Sequence, residues 1–139
     1  MSRSTAALFV ALAVWAASWP AAAHHSFAAE YDREKPVRLV GKVTKIEWMN
    51  PHVYFYIDVA EPAGTAAHWA IEGGAPNSLY RAGWRRDSLK VGETVTVHGY
   101  LARDGSKLAN MRTATLADGR EVFGGQVYYT PTTPKPPGK

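Results

Sequence analysis

From residue 37 to residue 123 apolar and polar side chains alternate in short runs separated by turn formers, which is the period of two that half-buried strands require. Residues 37–48 start with Val37, Leu39 and Val43 in one phase and finish with Ile46 and Trp48 in the other. That change of phase predicts a long first strand with a bulge near Thr44. Asn50-Pro51 marks a turn, and residues 52–59 then alternate strictly. Val53, Phe55, Ile57 and Val59 take the inward face, and His52, Tyr54, Tyr56 and Asp58 the outward one. After the turn at Glu61-Pro62-Ala63-Gly64, residues 67–71 form a third expected strand with Trp69 and Ile71 inward. Gly73-Gly74-Ala75-Pro76 breaks the alternation, and residues 77–82 are expected to be helical, opened by Pro76 or Asn77 and closed by Gly83. With little apolar surface beyond Leu79, this helix is expected to plug one end of a sheet. Residues 94–101 and 108–116 read as strands four and five across Asp104-Gly105, and Asp118-Gly119 can fold residues 121–123 back as a short last strand.

Three strands, a short helix and two further strands predict an all-β fold, a small five-stranded OB-like barrel with one short helix between strands three and four. An open sandwich of similar strands is the alternative. The position of the helix favours the barrel.

The pattern before the first strand is of another kind. Arg3 supplies a positive end, residues 6–17 an apolar run, and Ala21-Ala22-Ala23 a small-residue cleavage site, which together read as a secretory signal over residues 1–23. The apolar run is roughly a dozen residues, short of the roughly 20 that cross a bilayer, and no later stretch approaches that length. The mature chain is therefore expected in the periplasm or secreted, with no transmembrane segment. Cleavage after Ala23 leaves His24 as its first residue. Residues 24–129 are expected to form a single domain, followed by a proline-rich disordered or extended tail over residues 130–139.

Composition sharpens that picture at two points. The chain has no cysteine, so in an oxidising compartment its stability comes from core packing or a ligand, and a cysteine-linked lipid anchor is excluded. The formal charge of +4 favours acidic partners such as envelope polyanions. It is too small and scattered to point to nucleic acid, which is not an expected partner.

Several residue groups carry potential chemistry. A first-position histidine chelates through its α-amino group and its ring together, a pairing that suits Cu(II), and His25 adds a second imidazole. The soft sulfur of Met49 and the imidazole of His52, at the rim of the barrel, could complete a copper site with Trp48 as an apolar shield. Structural roles compete: Trp48 as a core plug, Met49 as a gap filler. On the outward face Tyr54, Tyr56 and His68 come from strands two and three, where OB-type barrels present ligand surfaces and aromatics stack on flat or sugar-like groups. Arg81, Arg85 and Arg86 surround Trp84 and read best as a solvated, locally paired loop. No nucleophile elbow, phosphate-binding loop or His-Glu-x-x-His motif occurs, and the chain is not expected to be an enzyme.

The runs His24-His25-Ser26-Phe27-Ala28-Ala29-Glu30-Tyr31-Asp32, Trp48-Met49-Asn50-Pro51-His52, Gly74-Ala75-Pro76-Asn77 and Ser88-Leu89-Lys90-Val91-Gly92 resemble a family of small exported bacterial proteins of unknown function. A weaker likeness is to periplasmic OB-fold copper chaperones, which hold Cu(I) with a histidine, methionines and a tryptophan. Here Trp48, Met49 and His52 are similar in residue type, with one methionine and a different spacing. The expected function is thus a non-catalytic periplasmic binding protein that handles copper through His24, with His25 and His52 assisting. The alternative is an envelope accessory module that binds a protein, glycan or hydrophobic ligand through the Tyr54 and Tyr56 face.

Overall fold

The alternating runs become six strands in one sheet that curls on itself. The computed structural model describes residues 27–125. The signal segment at 1–23, the paired His24 and His25, and the tail at 130–139 lie outside the described residues. In chain order the elements are α1 (Phe27–Glu30), β1 (Tyr31–Glu47), β2 (Tyr54–Ala60), β3 (Ala66–Glu72), α2 (Pro76–Arg81), β4 (Thr94–Ala102), β5 (Leu108–Thr115) and β6 (Glu121–Phe123).

The sheet runs β3-β2-β1-β4-β5-β6, and a parallel pairing of β3 with β5 closes the first five strands into a barrel. That closure removes the exposed edges of β3 and β5, the step that separates a barrel from an open sandwich. The expected OB-like, all-β fold is the one observed. The bulge lies where the phase change placed it, with the register against β2 shifting between Val43 and Lys45. Gly41 sits beside it for a steric reason: a Cβ there would stand 2.8 Å from the Asp58 carbonyl oxygen.

Inward residues build one core. Phe55, Ile57, Ile71, Val97, Ala109 and Ala114 are buried, and Val59 and Trp69 pack against the cluster from partly buried positions. The short helix α2 plugs the barrel through Leu79. Trp84 is a core residue, correcting its expected place in a solvated loop. Its indole nitrogen donates to the Phe123 carbonyl at 2.8 Å, which ties β6 to the barrel.

The first strand departs from expectation at its start. It begins at Tyr31, six residues before the apolar alternation, because Tyr31 pairs with Ala102 of β4 across an irregular stretch ending at Pro36. Together with α1 it forms a second, smaller apolar cluster of Phe27, Tyr31 and Ala102, against which Tyr100 and Leu108 pack. The outer wall of β4 and β5 is therefore covered at this end. Arg103 holds the cover down: its Nε donates to the Ala28 carbonyl at 2.8 Å and its backbone N–H to the Glu30 carbonyl at 2.9 Å.

Candidate functional site

Under this cover lies a buried carboxylate. Glu72 is the last residue of β3, out of phase with the core residue Ile71, and so projects on the outer wall. It is nevertheless only 3 % exposed. Three groups surround it. The Tyr31 hydroxyl donates to Glu72 Oε2. Tyr54, directly opposite Glu72 in the β2–β3 register, hydrogen-bonds it as well. The third is His52, whose Nδ1 lies 2.5 Å from Glu72 Oε1.

The environment raises the pKa of both phenols well above the ordinary tyrosine range. For each, burial is the leading cause, followed by the neighbouring Glu72 carboxylate, which disfavours a second negative charge beside it. The phenols therefore stay protonated and serve as donors. No buried side-chain nitrogen or oxygen among the described residues lacks a hydrogen-bond partner, so the carboxylate lies in a satisfied cage.

His52 is the member that meets solvent, its side chain 31 % exposed. With Nδ1 directed at the carboxylate, Nε2 is the ring nitrogen that faces away from Glu72. A carboxylate behind an imidazole is the arrangement that orients the ring in histidine metal ligands. His52 supplies one ligand only: among the described residues no group of three or more histidine, cysteine, aspartate or glutamate side chains could hold a metal ion.

The remaining sequence-predicted residues are spread around the barrel. Trp48 packs edge-to-face on Tyr80, ring centroids 6.4 Å apart, with the Arg86 guanidinium 5.9 Å from its ring. Met49 is exposed. The Tyr56 hydroxyl donates to Glu47 Oε2 at 2.8 Å, and Lys45 completes that surface group by an ion pair with Glu47. His68 is paired with Asp58 at 2.5 Å. It stands four positions from Glu72 on β3, about 13 Å at the rise of a strand, so it does not join His52. Of the three arginines near Trp84, Arg85 donates to the carbonyls of Tyr80 and Trp84 and lies over the Tyr80 ring at 4.7 Å.

Sequence reasoning missed Glu72 and Tyr31. Glu72 reads as an ordinary outward residue at a strand end, and Tyr31 precedes the alternation, so neither carries a local signal of burial. The hint available in sequence was Tyr54 and His52 sharing the outward phase two residues apart.

Fold and site together define an OB-type barrel with a buried, fully engaged carboxylate on its outer wall and one imidazole presented to solvent. The chain belongs to a family of unknown function, DUF6152, whose family model matches residues 11–111. No curated protein matches it. Among solved structures it is similar to the mitochondrial single-stranded DNA binding protein Rim1 of S. cerevisiae, with a TM-score of 0.47, 12 % identity, and 59 % of this chain and 92 % of that one covered. The N-terminal domain of the PriB protein from Thermoanaerobacter tencongensis gives a TM-score of 0.43 at 21 % identity, covering 60 % and 97 % of the two chains. A ZRD-deleted mutant of TiaS in complex with agmatine gives 0.42 at 20 % identity over 61 % of this chain and 22 % of that one. No helix among the described residues is long and apolar enough to cross a membrane.

Proposed function

We propose that this chain is an exported, non-catalytic binding protein of the periplasm that handles copper through the amino terminus of its mature form. His24 contributes its amine and ring, with His25 and the Nε2 of His52 assisting. The observation that carries the reading is the Glu72–His52 pair, a buried carboxylate behind a solvent-facing imidazole. A second support is the anchoring of α1. Phe27, held over Tyr31 at 5.4 Å between ring centroids, is three residues from His24, and three extended residues span about 10 Å. Tyr31 in turn donates to Glu72, which pairs with His52. The binding, non-catalytic character is supported by the state of Glu72: with two phenols and an imidazole on it, this carboxylate is occupied as an acceptor and is not poised as a base.

The alternative, an envelope module that binds a protein, glycan or hydrophobic ligand through Tyr54 and Tyr56, has less support. Both phenols are engaged by carboxylates of the same chain, Tyr54 by Glu72 and Tyr56 by Glu47.

Cu(II) titration of protein beginning at His24 tests the copper reading. Submicromolar affinity is expected, falling at least tenfold when the amine of His24 is acetylated and again in His52→Ala. Micromolar or weaker binding that ignores a blocked terminus ends it.

A further inference from the structure

The outer wall of β1, β4 and β5 carries an open groove of about 340 Å³ that the copper reading does not use. Its lining includes Arg38, His98, Tyr100 and Arg112. The register brings them together. Arg38 stands opposite His98, and Pro36 opposite Tyr100, in the β1–β4 ladder. In the β4–β5 ladder His98 pairs with Thr113 but Gly99 with Met111, so Arg112 is the extra residue of a bulge. Met111 and Ala114 both face the core, and the bulge leaves Arg112 exposed on the same wall as His98. Gly99 permits this tight passage, since a Cβ there would meet the Asn110 carbonyl oxygen at 2.0 Å.

The charges of this groove are uncompensated. Several other surface cations of the barrel are paired, Lys45 with Glu47, Lys107 with Glu61, Arg103 with Asp32 and Arg120 with Asp118. The side chains of Arg38, His98 and Arg112 form no ion pair or hydrogen bond with any described residue, and among the described residues no carboxylate lines the groove. Two guanidinium forks lining one groove without a counter-charge create a local positive potential, and each fork can take an oxyanion bidentately. The half-buried Tyr100 ring, packed edge-to-face with Phe27 at 5.7 Å between centroids, also lines the groove with apolar surface, and the volume suits a single ring.

We propose that this groove binds an acidic sugar unit, its carboxylate between Arg38 and Arg112, its ring against Tyr100 and a hydroxyl on His98. The site takes the unit free or as a repeat of an acidic polysaccharide.

Calorimetric titration of the mature chain with galacturonate, trigalacturonate, maltotriose and inorganic phosphate tests this. Trigalacturonate is expected to saturate the protein at millimolar concentration or below, to weaken with added salt, and to bind at least tenfold more tightly than the neutral trimer. Arg38→Ala with Arg112→Ala should lower its affinity at least tenfold, and the double lysine variant should fall between, separating the guanidinium fork from charge alone. Unchanged thermal unfolding of both variants shows that the fold persists. Galacturonate binding as tightly as the trimer assigns the free acid, and tighter trimer binding assigns the chain. The proposal fails if maltotriose equals trigalacturonate, if phosphate binds as well as the uronate, if the double alanine variant binds undiminished, or if none of these ligands saturates. His52→Ala is expected to leave this binding unchanged, so the outcome is independent of the copper site.

Discussion

Glu72 is the residue on which the outer-wall site turns. Removing its side chain would leave the Tyr31 and Tyr54 hydroxyls buried without their acceptor, and each such loss costs about 1–3 kcal/mol. Glu72→Ala is therefore expected to lower stability by about 3 kcal/mol in urea denaturation, and Tyr31→Phe, which keeps the ring packed, by about 1.5 kcal/mol. The raised phenol pKa values also set a pH limit. A group that holds its proton more tightly when folded contributes stability that is complete below its unfolded pKa, near 10, and is lost as pH rises toward the folded value. Stability is expected to fall steadily above about pH 10, and Tyr31→Phe should flatten that decline. In a spectrophotometric titration Tyr31 and Tyr54 should ionise only above the ordinary tyrosine range while the protein stays folded.

Among the elements, two contacts decide how the barrel is held. The first is the close approach of β5 to Gly99, where any side chain would drive into the Asn110 carbonyl. Gly99→Ala is expected to cost about 3 kcal/mol, read as a lowered urea midpoint, because relief requires the strands to part. The second is Arg103, which fastens α1 and the start of β1 through Ala28, Glu30 and Asp32. Arg103→Ala should speed hydrogen exchange at Phe27–Tyr31 while leaving the amides of β2 and β3 protected. If the core amides lose protection equally, α1 is no separable cover. The strands themselves were largely readable: β2, β3, β4 and β5 start and end within two residues of the alternating runs, and the bulge at Val43/Lys45 follows from the phase change. The early start of β1 was not, since residues 31–36 have charged side chains and a proline and gain their pairing only from Ala102 and Tyr100 on β4.

For the whole molecule, metal and fold are linked by mass action. A ligand bound only by the folded chain raises its unfolding temperature, so saturating Cu(II) is expected to raise the Tm of protein beginning at His24. Protein whose His24 amine is acetylated should gain markedly less. Equal gains would place the copper elsewhere.

What the sequence by itself determined is the local part: alternation of period two, turn formers between the runs, a phase shift in the first run and one short helix in a fixed place suffice for an OB-type order of strands. Those signals act between residues near in the chain. Tertiary structure alone decided which outward residues are buried and which charges go uncompensated. Tyr31 meets Glu72 across 41 residues, and Arg38 and Arg112 line one groove only because β4 lies between β1 and β5. Burial of a wall residue depends on what folds over it, and that is a property of closure and not of any one strand.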